Sequence, residues 1–134
     1  RASRLAGLAQ GSVGRALEIN GDEDYFELRD RVIASLESLK DRASVSKAAT
    51  ALEDEKGMEN GILEIMELWA RDLMAVQSGA APYEGDDFER LNRCRLNGQM
   101  LLQSVIQVRM QLASNVSWPN ALENMYFGLV DSLR

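Results

Sequence analysis

From Phe88 to Ser114, the apolar and small residues Leu91, Cys94, Gly98, Leu101, Val105, Val108 and Leu112 recur in steps of three and four. That spacing places them on one side of an α-helix, whereas a strand would alternate its sides every second residue. The repeat predicts a heptad seam on a helix from Phe88 to about Ser114. Such a helix would be roughly 40 Å long at about 1.5 Å per residue, enough to serve as the axis of a bundle. Cys94 and Gly98 lack bulk, so a neighbouring helix is expected to come close at their level.

Helical spacing extends over the rest of the chain, and no strand-like alternation competes with it. Leu5 and Leu8 belong to a first segment over about residues 1 to 9, and Ser12 is placed to cap a short helix through Ile19. Asn20-Gly21-Asp22 signals a turn, followed by a helix whose stripe is Tyr25, Leu28, Val32, Leu36 and Leu39. A shorter helix carrying Val45, Ala48, Ala49 and Leu52 is expected to end near Gly57. Met58 to Ser78 reads as the most buried helix: Met58, Ile62, Ile65, Met66, Trp69, Leu73 and Val76 share one face, which Leu63, Leu68 and Met74 widen. Gly79 to Asp87 reads as a loop, with Asp86 or Asp87 capping the next helix. The last helix takes Ser117 as its cap and Pro119 in its first turn, where a missing N–H costs nothing. Its stripe is Trp118, Leu122, Met125, Leu129 and Leu133, flanked by Tyr126 and Val130, and Phe127 points elsewhere. The fold class is therefore all-α: a helical bundle of about five main helices preceded by one or two short ones.

The chain has 134 residues and no histidine. Without imidazole it offers no Ser-His-Asp or Cys-His pair, no Cys/His zinc site and no Glu-x-x-His di-iron ligands. A net charge of −6 argues against a phosphate-neutralising groove, so direct contact with nucleic acid is not expected. No apolar run is long enough for a bilayer, and the single cysteine, Cys94, rules out an intramolecular disulfide. These features point to a soluble domain in a reducing compartment, with most familiar hydrolytic chemistries removed and no cofactor or metal expected. Because Arg1 opens the sequence inside a helical pattern without a methionine, the chain is expected to be a piece of a longer protein.

Several constellations invite chemistry and yield to simpler readings. Gly11-Ser12-Val13-Gly14-Arg15 lacks the preceding strand and the Lys-Ser/Thr of a phosphate loop, and reads as a helix corner capped by Ser12. Glu64, Glu67 and Asp72 fall mostly off the apolar stripe and read as surface acids, and Glu84, Asp86, Asp87 and Glu89 lack the alternating ligands of a calcium loop. In Trp69-Ala70-Arg71-Asp72, the arginine and aspartate are placed to fix a neighbouring helix terminus. Cys94 sits on the seam as a small packer, with no base beside it to form a thiolate. The six methionines read as core filling.

Three stretches in order resemble one family, the carboxy-terminal part of the δ′ subunit of the bacterial DNA polymerase III clamp loader. "LAGLAQGSVGRALEI" resembles the end of the AAA+ lid, "WARDLMAVQSG" the tryptophan-to-RDL stretch of δ′ collar domains, and "NVSWPNALENMYFGLV" the closing helix. In active clamp-loader ATPases the first stretch reads Gly-Ser-Leu-Arg-Asp-Ala-Leu, and its arginine reaches the nucleotide. Here Gly14 stands in that arginine's place and Arg15 comes one position later. One step along a helix turns a side chain by about 100°, so Arg15 is expected to point away from a phosphate. Gly11, Ser12, Gly14 and Arg15 are thus a degenerate lid motif. Arg93-Cys94-Arg95 is similar to the family's Ser-Arg-Cys finger, but lies on the seam helix of the wrong domain.

The resemblance implies a lid remnant over residues 1–20 and a collar domain over 21–134, which would join the γ/τ and δ subunits through their collar domains. Arg109, Asn115, Asn124 and Phe127 are the candidate partner contacts on the last two helices. The rival reading is a ligand-sensing, dimerising domain of a transcription regulator, with Met66, Trp69, Met100 and Phe127 lining an apolar pocket.

Overall fold

The computed structural model describes residues 21–55, 57–79 and 87–133. The first segment and the Ser12 corner lie outside them. Among the described residues there are six helices and no strand: α1 (Gly21–Glu37), α2 (Arg42–Glu53), α3 (Glu59–Ser78), α4 (Phe88–Arg93), α5 (Gly98–Ala113) and α6 (Trp118–Asp131).

Each predicted stripe becomes the buried side of its helix. Tyr25, Leu28, Val32 and Leu36 of α1, the four stripe residues Val45, Ala48, Ala49 and Leu52 of α2, and Ile62, Ile65, Met66, Trp69 and Leu73 of α3 join one core with Trp118, Leu122, Met125 and Leu129 of α6. Leu63 widens the buried face of α3, but Met74 is exposed and Leu68 only half-buried. Helix α1 packs on α2 and α3, α3 on α5, α5 on α6, and α6 on α2. In the order α1–α2–α6–α5–α3 the contacts therefore close a five-helix ring, with the short α4 laid against α3.

Helix ends obey local chemistry. Asp41 and Ser44 form a reciprocal capping box at the start of α2, and the Ser117 hydroxyl accepts from Asn120 N–H at the start of α6. Gly79 ends α3 in the left-handed region at φ 64°. Two buried bonds tie the ring across its helices. The Trp118 indole donates to the Leu52 carbonyl (3.0 Å), and the Ser35 hydroxyl donates to the Ala48 carbonyl (2.7 Å). Since Ser35 has spent its one proton, the Tyr126 hydroxyl 2.6 Å away is the donor to Ser35 Oγ.

The single helix expected from Phe88 to Ser114 is two. Cys94 and Asn97 adopt extended backbone, and the Asn97 side chain caps α5 by accepting from Met100 N–H at 3.0 Å. The Gln77 amide of α3 holds the break, donating to the Leu96 carbonyl (2.8 Å) and accepting from Gly98 N–H (2.9 Å). The close approach foreseen at Gly98 is present: a Cβ there would stand 2.7 Å from both Met74 Cγ and Met74 N, and 2.8 Å from the Ala70 carbonyl oxygen. Leu96, in the connection, is buried in the same core as Leu91 and Leu101, and Cys94 is only half-buried.

Candidate interface

The four residues singled out as partner contacts do not form one patch. Arg109 of α5 turns to α3, with Nη2 3.4 Å from Glu67 and 3.8 Å from Glu64. It clamps two helices, and Glu64 and Glu67 are partners in that clamp, not the free surface acids expected. Phe127 is half-buried beneath the Arg42 guanidinium, 4.5 Å above its ring, and Arg42 is held by both carboxylate oxygens of Asp131 at 2.9 and 2.7 Å. Asn115 serves the backbone: its φ of 68° is the only positive value at a non-glycine described residue, a conformation asparagine tolerates at the turn after α5. Asn124 is exposed beside a pocket, of about 230 Å³, that it lines with Ser104, Gln107 and Gln111 between α5 and α6. Gly11, Ser12, Gly14 and Arg15 lie outside the described residues.

Other sequence readings shift as well. Asp87 precedes α4 but does not cap it; its carboxylate takes Arg29 Nη2 at 2.7 Å instead. Arg71 pairs with Glu67 on its own helix, and it is Arg29 that lies over the Trp69 ring, 5.7 Å from its centroid. Burial pushes the Cys94 thiol up, against the Leu96 backbone and the Trp69 indole, which pull it down. The thiol stays protonated. Met66 and Trp69 are sealed in the core, Met100 is exposed at the far end of α5 from Arg109, and Phe127 is covered by Arg42, so the four do not line a common pocket. Among the described residues no cluster of His, Cys, Asp and Glu is arranged to hold a metal ion, and no helix is long and apolar enough to cross a membrane.

One pair of acids meets with no ion pair to a described cation. The Glu53 carboxyl of α2 is pushed up to about 7, first by the hydrogen bond it shares with Glu123 of α6, then by burial and by the charges of Glu123 and Asp54. The folded protein holds this proton more tightly than an unfolded chain, where the carboxyl titrates near 4.5. The resulting stability is present below that value and is lost as pH rises through about 7. Urea melts should therefore show the wild type losing stability between about pH 5 and about pH 8 relative to Glu53→Gln. Equal changes in both proteins would show that the pair binds no extra proton.

The most unusual surface is the outer side of α5. In a chain that is 27% charged, this helix of 16 residues (GQMLLQSVIQVRMQLA) has a single charge, on Arg109. Its seam, Leu101, Val105 and Val108, is buried, whereas Ile106 is 51% and Met110 67% exposed. At 100° per residue these two lie on the side opposite the seam, with Gln99 and Gln103 beside them. Gln107 continues the uncharged arc to the pocket that Gln111 and Asn124 line. The Gln111 Oε1 atom there is buried without a hydrogen-bond partner. A solvent-facing helix side normally carries charge, and the loss of charge with retained methionine and aliphatic bulk is the composition of a protein-contact centre. Ile106 and Met110 were not among the sequence candidates, although their i, i+4 placement off the seam is visible there.

Compared with family models, with curated proteins and with solved structures, the chain finds no match.

Proposed function

We propose that the chain is a non-catalytic assembly domain, similar to the collar domain of the δ′ subunit of a bacterial clamp loader, which acts in the cytoplasm during DNA replication. In that reading it joins γ/τ and δ collar domains and fixes the geometry in which the ATP-binding modules of the assembly open a sliding clamp. The observation that carries an assembly role is the uncharged outer arc of α5, centred on Ile106 and Met110. The particular assembly rests on the three ordered stretches around Ser12, Trp69 and Asn115 and on an all-α bundle of about five main helices, as expected of a collar domain.

The test is to mix the chain with the corresponding γ/τ and δ collar pieces at concentrations on the order of tens of micromolar and to monitor co-elution by size exclusion. A shared peak is expected. Separate elution of all three would reject the clamp-loader reading.

A further inference from the structure

A second surface lies on α1 and α2, on different helices from the arc of α5. They line a groove of about 760 Å³ whose walls include Ala34 and Ser38 on one side and Ala43 and Ala51 on the other. Its floor is Ser35 and Ala48. The polar atoms of that floor are already satisfied, because the Ser35 hydroxyl bonds the Ala48 carbonyl and accepts from Tyr126. An occupant therefore gains apolar contact from the floor and no new hydrogen bond.

The rim supplies the selectivity. Of its charged residues, Arg31 is paired with Glu55, and Glu37 is held by Arg90 at 2.8 and 2.9 Å. Lys40 and Lys47 form no ion pair with a described residue. The groove edge is thus positive on a chain of net charge −6, and two of the chain's three lysines stand at it.

We infer that this groove is a docking site for an acidic amphipathic helix of a partner protein, its small apolar side chains seated between α1 and α2 and its carboxylates on Lys40 and Lys47. The small wall residues let a third helix backbone come close, as in helix–helix packing with interdigitated ridges. Helix α2 has 12 residues, so the occupant spans about three turns. Two lysines over an apolar floor are too few charges for a nucleic-acid backbone, whose affinity grows with the number of phosphates neutralised. The site goes beyond the clamp-loader reading and does not depend on it.

The test titrates the isotope-labelled chain with a designed helical peptide of about three turns, with alanine and leucine on one face and glutamates flanking it, and records backbone amide shifts. Shifts should concentrate at Ala34, Ser38, Ala43, Lys47 and Ala51. Lys40→Glu with Lys47→Glu, both exposed positions, should weaken binding about tenfold or more, as should high salt. Ala51→Trp should block the groove in a chain whose circular dichroism and melting stay those of the wild type. Equal binding of a peptide with lysines in place of the glutamates, shifts centred on Ile106 and Met110, insensitivity to the charge reversal, or tighter binding of a single-stranded oligonucleotide at the same residues would each overturn the proposal.

Discussion

Replacing Asp87 with alanine is expected to cost on the order of 3 kcal/mol of folding stability, the usual scale for stranding one member of a buried ion pair. Arg29 is buried, its side chain 5% exposed and that of Asp87 13%, and the pair joins α1 to the start of α4 at 2.7 Å. Without the carboxylate the guanidinium keeps its place over Trp69 but loses that charge partner, and its Nη1 atom already lacks a hydrogen bond. The converse change behaves differently. Arg29→Met strands the Asp87 carboxylate in its turn, but that side chain is 13% exposed and reaches water more readily than the guanidinium, so its loss should be smaller than that of Asp87→Ala. Urea unfolding of Asp87→Ala, Arg29→Met and the double variant measures this asymmetry. In the double variant most of the Asp87→Ala loss should disappear. A loss below about 1 kcal/mol in Asp87→Ala would mean that the pair behaves as an exposed one.

The second large effect is expected at Gly98. A methyl group there meets the Met74 backbone nitrogen at 2.7 Å and the Ala70 carbonyl at 2.8 Å, atoms of α3 that cannot move aside as the end of a flexible side chain can. The Met74 Cγ contact could relax; the backbone contacts force α5 away from α3, its most extensive packing partner. Gly98→Ala should therefore lose about 1–3 kcal/mol by overpacking, even though alanine is the better helix former. Gly128→Ala is the matched control. It lies within α6 with nothing inside 4 Å of the added carbon, so helix propensity alone acts and the change should gain about 0.5–1 kcal/mol. Thermal melts of the two variants should move in opposite directions. A stabilised Gly98→Ala would show that α3 and α5 do not approach so closely.

The all-α fold and most of its core were legible because burial of a helix side is a local, periodic property. Val45, Ala48, Ala49 and Leu52 repeat in steps that only one helix face satisfies, and all four are buried. The break at residues 94–97 was hidden by that same regularity. Leu91, Cys94, Gly98 and Leu101 keep steps of three and four across it, while the group that holds the break open, the Gln77 amide, sits 21 residues from Gly98 in sequence. Ion pairs between helices were hidden for the same physical reason. Arg29 finds Asp87 58 residues away, and Arg109 finds Glu67 42 residues away, and no periodicity encodes such pairs. Arg109 and Phe127 looked available from their positions on a helical wheel, yet each is engaged within the fold. The outer arc of α5 needs knowledge of where the helix begins and which side is buried before its lack of charge can be recognised as a surface property.

Sedimentation velocity of the chain with a γ/τ collar domain, for the wild type and for Ile106→Glu with Met110→Glu, tests the assembly role of α5 most directly. Both positions are exposed, so the double variant should fold as the wild type does, with unchanged circular dichroism. The account predicts a faster-sedimenting species with the wild type that disappears with the variant. A complex of equal strength with both proteins, or none with the wild type, would contradict it.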